Sequence, residues 1–206
     1  DGQIIAIGGQ TNQYMPDRLI DCVLESGARH LTIYSIDSSD PGHGVSLLVE
    51  AGRVDAMITT HVGTNPLTNA KIQSGALKAE FNPMGTFIER IRCGGAGLGG
   101  VLTPTGVGTI VEDSPFCLGK QTIDGRDYLL MKPIRADFAL INGYLVDKFG
   151  NIWYKGTTRN FNIVMATAAD VVIAEADNVV EIGDIQPENV VTSGAFVNYI
   201  VDGGNA

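Results

Sequence analysis

Seven glycines crowd into "RIRCGGAGLGGVLTPTGVGT", residues 90 to 109: Gly94, Gly95, Gly97, Gly99, Gly100, Gly106 and Gly108. Each gives up more backbone freedom on folding than any other residue, so a cluster needs a reason. One reason is chemistry, because bare backbone lets N–H groups approach a phosphate, a carbonyl or a thioester. Gly95-Ala96-Gly97-Leu98-Gly99-Gly100 spells G-x-G-x-x-G, the spacing of a dinucleotide loop. That loop follows a strand and opens a helix; here a predicted helix precedes the motif and an extended Thr-Pro segment follows it. No G-K-[ST] and no G-x-S-x-G occurs, which removes the Walker loop and the hydrolase elbow. A second pair, Gly8-Gly9, ends the first apolar run. Two bare-backbone loops at such places point to one shared cleft.

Other reactive side chains offer less. His30 and His43 read as exposed, and His61 sits at a strand end. Cys93 falls at a helix C-terminus, whereas a low-pKa thiol favours an N-terminus. Glu25, Glu50, Glu80, Glu89, Glu112, Glu175, Glu181 and Glu188 each read as a solvated face or a local ion pair. Glu89, three residues before Arg92, suits a helix-surface pair. Trp153 and Tyr154 read as packing. Cys22, Cys93 and Cys117 are far apart, with no CxxC and no His pair, so neither a disulfide framework nor a metal site is expected.

The elements that must hold these loops follow from periodicity. "QIIAI", "HLTIYSI" and "VDAMITTHV" are strands, and "PDRLIDCVLESG" and "VSLLVEAG" are the helices between them. Leu19, Ile20, Val23 and Leu24 share one face of the first helix. "TNPLTNAKIQSGAL" is mixed. "KAEFNPMGTFIERIRCGG" gives a strand and then a helix, with Phe87, Ile88 and Ile91 inward and Gly94 as its stop. Asp124-Gly125 marks a hairpin, and Gly150-Asn151 a second one. "FNIVMATAAD" reads as a helix, "VVIAEA" as a buried strand, and "VVTSGAFVNYIV" as strand or helix. The expectation is an α/β fold: an open, mostly parallel sheet flanked by helices, with β-hairpin excursions, in one domain over residues 1–206.

With 206 residues, 44% hydrophobic and 18% charged, the chain can bury an ample core. A net charge of -9 without a basic stripe argues against nucleic acid. No apolar run is long enough to cross a membrane. No secretory signal shows; the opening at Asp1 leads us to expect a start further upstream. A reduced, cytoplasmic setting is the plain expectation.

Read whole, the chain resembles the alpha subunit of type I CoA-transferases, of the acetate/butyrate–acetoacetate kind. The resemblance rests on "DGQIIAIGGQTNQYMP", "HVGTNP", "GTFIERIRCGGAGLGGVLTPTGVGT", "ADFALI", "YKGTTRNFN" and "VVIAEADNVVE". It implies transfer of CoA between a short-chain acyl-CoA and a carboxylic acid, with CoA as substrate and no permanently bound cofactor. It further implies a beta subunit that carries the nucleophilic glutamate, in a heterotetramer or larger, and no catalytic glutamate in this chain. Gly8, Gly9, Gln10, Thr11, Asn12, Gln13 and Tyr14 match the family's CoA-facing loop. Gln10 replaces an aromatic there, and Tyr14 a glycine. Met84 stands where the family has a glutamine that donates to the thioester oxygen. Met84 is grouped with Gly94, Gly95, Gly97, Gly99 and Gly100 as a supporting oxyanion or thioester loop, with Thr103 and Thr105 as hydroxyl donors. On that reading Gly97→Val harms activity more than folding. The alternatives are an acyl-CoA hydrolase of the same superfamily and a sugar-phosphate-binding regulatory domain.

Overall fold

The structure, a computed structural model, describes residues 1–204. The chain begins β1 (Ile4–Ile7), α1 (Asp17–Glu25), β2 (Leu31–Tyr34), α2 (Val45–Glu50), β3 (Val54–Thr59), α3 (Pro66–Gln73), β4 (Lys78–Phe81) and α4 (Met84–Gly95). It continues through β5 (Val101–Thr103), the ribbon β6 (Cys117–Ile123) and β7 (Arg126–Met131), then β8 (Ala136–Asp147) and β9 (Ile152–Trp153). α5 (Asn162–Met165), β10 (Ala169–Val180) and β11 (Tyr199–Asp202) complete it.

The large sheet runs β11-β10-β8-β1-β2-β3-β4, every neighbouring pair parallel, with β9 antiparallel to β8. β1 through β4 step outward in one direction, and β8 returns to the other side of β1. The strand order therefore reverses between β1 and β8, where crevices open beyond the carboxyl ends of strands. A second sheet, β5-β7-β6, is antiparallel, and its ribbon turns at Asp124-Gly125 as expected.

Alternation along β1 feeds two cores. Ile5 and Ile7 pack with Leu19 and Ile20 of α1 and Leu48 of α2. Ala6, between them, faces Phe87 and Ile91 of α4 and Met165 of α5. Of the expected inward face of α4, Phe87 and Ile91 are fully buried, and Ile88 packs at the margin. α1 keeps Leu19 and Ile20 inside, with Val23 and Leu24 at its edge.

Four expectations need correction. "NPLTNAKIQ" is a true helix: Asn65 caps it by accepting from Thr68 N at 2.9 Å, and Pro66 occupies its first turn. Gly94 does not stop α4, which runs on to Gly95; Gly97, at φ +69°, follows the cap. The helix over "FNIVMATAAD" is a single turn, because Ala169 already enters β10, whose 12 residues outrun "VVIAEA". "GVLTPTGVGTIVED" is extended only at β5 and closes in a 3-10 turn over Ile110–Asp113.

Candidate functional site

The loop after β1 leaves the sheet at its carboxyl edge. Gly8 and Gly9 are buried, and what their missing side chains admit is protein. A Cβ on Gly8 would lie 1.9 Å from Asn162 Oδ1, and one on Gly9 2.2 Å from Met15 Sδ. Gln10 and Gln13 pair back to back (Gln10 N to Gln13 O at 3.1 Å, Gln13 N to Gln10 O at 2.8 Å). Thr11 N donates to Asp37 Oδ2 at 2.8 Å, and Asn12 Nδ2 to Asp40 Oδ2 at 2.7 Å, which ties the loop to the turn after β2. Gln10, Gln13 and Tyr14 remain exposed. Tyr14 sits at φ +53°, so it holds the left-handed conformation that a glycine would take without strain.

The glycine cluster and Met84 do not share a place. Met84 is the first residue of α4 and Gly95 the last. Eleven steps at about 1.5 Å each put them roughly 16 Å apart. Gly94 meets Ile134 O, Gly95 meets Thr167 and Gly100 meets Leu130, so those three are bare to let backbone and side chains pack. Gly97 is a turn, and Gly99 opens on empty space. This end of α4 is also its negative end, the wrong sign for a developing oxyanion.

β5 then runs back toward the start of α4. A hollow of about 310 Å3 forms there, lined by Pro83, Gly85, Thr86 and Glu89 on one side and Val101 to Thr103 with Thr105 on the other. Met84, 44% exposed, sits beside it. Pro83 offers no capping side chain, so the first N–H groups of α4 carry no such partner. Thr86 is buried, and its Oγ1 has no hydrogen-bond partner among the described residues. Of the residues at this hollow, Met84, Thr103 and Thr105 were singled out in the sequence, and Thr86, the third residue of the helix, was not.

Arg90, fully buried, braces this end. Its Nε donates to Lys132 O at 2.8 Å, Nη1 to Asn82 Oδ1, and the guanidinium lies 4.5 Å from the Phe116 ring centre. Glu80 Oε1 is 3.8 Å from Nη1 and accepts from Ser114 at 2.9 Å. Burial pushes the Glu80 carboxyl up, against the pull of Ser114 and Arg90. Burial pushes Arg90 down, opposed by Glu80.

A larger hollow of about 800 Å3 opens over β8 and β10 at the start of α1. Asp17, Asp21, Glu175 and Asp177 line it, against a lone cation, Arg18, which donates to Asp202 O at 3.0 Å. Glu175 is 7% exposed and accepts from Leu19 N at 2.9 Å, supplying the N-terminal cap that Pro16 cannot. Its carboxyl is raised by burial, opposed by the Leu19 and Arg18 N–H groups and reinforced by Asp17 and Asp177. Asp17 is raised by burial and then by Asp21.

Two glutamates thus depart from the surface reading: Glu175 is an internal helix cap and Glu80 part of a half-buried network. Glu89 does pair with Arg92, at 2.6 Å. His30 is exposed and bonded to Asp55 at 3.0 Å. Cys93 is buried at the α4 C-terminus, near Leu98 O. Tyr154 is packed inside with its hydroxyl on Thr192, and burial pushes it up to about 12. No group of three or more His, Cys, Asp and Glu is arranged to hold a metal among the described residues, and no helix among them is long and apolar enough to cross a membrane.

An open parallel sheet with helix N-termini at its carboxyl edge is a frame that binds ligands beyond the strand ends. The chain belongs to the Coenzyme A transferase family, whose sequence model matches residues 1–203. It is 46% identical over 203 residues to the acetate CoA-transferase subunit alpha of Escherichia coli, covering 98% of this chain and 90% of that one. It is 45% identical over 201 residues to the acetoacetyl-CoA:acetate/butyrate CoA transferase alpha subunit of Clostridium acetobutylicum, covering 98% and 91%. Glutaconate coenzyme A-transferase from Acidaminococcus fermentans superposes with a TM-score of 0.83 at 18% identity, over 98% of this chain and 70% of that one. An acyl-CoA transferase of E. coli O157:H7, in a thioester complex with CoA, gives 0.83 at 20% identity; this chain spans 98% of its own length and 44% of that enzyme. The two structural likenesses speak for the fold.

Proposed function

We propose that this chain is the alpha subunit of a heteromeric CoA-transferase, moving CoA between a short-chain acyl-CoA and a carboxylate such as acetate, butyrate or acetoacetate. The observation that carries this is 46% identity, over nearly the whole chain, to an acetate CoA-transferase alpha subunit. A beta subunit supplies the nucleophilic glutamate, since none of the glutamates here sits free in a hollow fit for attack. Glu175 is spent on capping α1, and Glu89 is paired with Arg92.

Attack on a thioester throws negative charge onto its carbonyl oxygen, and preorganised donors lower that barrier. Met84 is a thioether and cannot donate. The N–H groups opening α4, with the Thr86 hydroxyl, supply donors where the helix dipole is positive. Thr103 and Thr105 add hydroxyls across the hollow. On this reading the oxyanion donors are at the start of α4, and Gly94 to Gly100 serve the helix end and the turn that follows it. The exposed arc Gln10–Tyr14 is the CoA-facing surface, with the buried Gly8 and Gly9 setting its course.

The test is reconstitution. The purified chain, alone and with its beta subunit, is assayed for loss of acetoacetyl-CoA in the presence of acetate. Turnover is expected only from the pair. Robust transfer by the chain alone overturns the division of labour, and release of free CoA without an acceptor acid would make the enzyme a hydrolase.

A further inference from the structure

Asn162 opens α5 and is fully buried, yet it is the most heavily used polar side chain near the switch point. Its Oδ1 accepts from Asn142 N at 3.0 Å, on β8. Its Nδ2 lies 3.2 Å from Tyr14 O, 3.3 Å from Thr158 O and 3.1 Å from Asn160 Oδ1. Two hydrogens serve those three acceptors. Next door, Asn160 Nδ2 donates to Gln13 O at 3.3 Å. The same Oδ1 fills the space where a Gly8 side chain would be, at 1.9 Å. Gly8 in turn is joined to β8 through Gly8 N and Leu140 O at 2.9 Å.

We propose that Asn162 is the positioning residue of the Gly8–Tyr14 loop. Its amide ties the loop's last carbonyl to the edge of β8, while its bulk packs on the bare backbone of the loop's first residue. Both ends of the exposed arc are therefore set by one side chain, from a segment nearly 150 residues away in sequence. Gly8 is bare for Asn162. An amide is required because one end must accept and the other donate; a carboxylate keeps the shape but faces the Tyr14 and Thr158 carbonyls with lone pairs.

The inference rests on the reading of this loop as CoA-facing, so its test separates the two. In the reconstituted complex, Asn162→Asp is compared with wild type by hydrogen exchange and by steady-state kinetics. Exchange is expected to quicken in peptides spanning residues 9–15 and not in the β1–β4 core. KM for the acyl-CoA is expected to rise roughly tenfold or more, as a misplaced contact surface does, with KM for the carboxylate and kcat little changed. Unchanged exchange in residues 9–15, or a rise spread through the whole chain, overturns the proposal. Faster loop exchange with an unchanged KM upholds Asn162's hold on the loop and overturns the CoA-facing reading. A second arm needs no activity. Gly8→Ala should lower the melting temperature strongly, and far less in an Asn162→Ala background; equal losses in both backgrounds overturn the proposal.

Discussion

Two hollows lie at the carboxyl edge of the sheet, and they differ in what binds their walls together. The larger, over β8 and β10, is walled by Asp17, Asp21, Glu175 and Asp177 around one arginine. The smaller, between α4 and β5, is walled by hydroxyls, apolar side chains, a helix N-terminus and one acid, Glu89, on the helix that also carries the buried Arg90. Size alone would choose the first. On the reading proposed above charge favours the second, because its one acid, Glu89, is paired with Arg92, whereas a carboxylate acceptor or a developing oxyanion is repelled by clustered acids. The acids of the larger hollow have another occupation, as Glu175 shows by capping α1.

The sharpest way to break this contrast is at Arg90. Arg90→Met removes the donors that serve Lys132 O and Asn82 Oδ1 and leaves Glu80 without its cation. A loss of about 3 kcal/mol is expected in urea unfolding. A loss under a third of that would mean the brace is ornamental and the smaller hollow is shaped by something else.

Met84→Gln probes the same hollow without touching its frame. The new amide adds a donor beside the α4 N-terminus, and one such donor is worth about a hundredfold or more in rate. In the reconstituted enzyme kcat for transfer to a short 3-oxoacid should rise with KM little changed. A kcat that stays or falls would show the oxyanion already fully served by α4 and Thr86.

Gly97→Val is the control from the far end of α4. Nothing stands within 4 Å of its Cβ position, but φ is +69°, so the strain falls on the backbone. A stability loss of about 1–2 kcal/mol is expected, with kcat per folded molecule kept. A collapse of kcat in a folded variant would return the glycine turn to the active site, as the sequence first led one to expect.

The smallest effect belongs to the acidic hollow and depends on pH. Burial raises the Glu175 carboxyl in the folded protein above its unfolded value. The folded state thus holds the proton more tightly, so this group's contribution is full below the ordinary glutamate range and is lost as pH rises through the raised value. Glu175→Gln mimics the protonated form and still accepts from Leu19 N. The variant should melt higher than wild type at neutral pH, and the gap should close on acidification through the glutamate range. A variant that melts lower at every pH would show that the charge of the cap outweighs its desolvation.

Much of the molecule was legible in local pattern. β1 to β4 and the helices α1, α2 and α4 follow from apolar periodicity, although α3 did not, and the hairpins from Asp124-Gly125 and Gly150-Asn151. The Coenzyme A transferase resemblance was carried by whole motifs, and Glu89–Arg92 by helical spacing. Those features depend on neighbours within about a turn or a hairpin, which composition and periodicity report directly.

What only the tertiary structure decided depends on distant partners. No local signal says that Gly8 is bare for Asn162, that Glu175 of β10 caps α1, or that Arg90 is buried between Asn82, Lys132 and Phe116. The glycine cluster read as one site with Met84 because the two are close in sequence, and a straight helix then carried them to opposite ends. Adjacency along a chain becomes separation along an axis at about 1.5 Å per residue, while β5 folding back brought Thr103 and Thr105 to the end where the donors are.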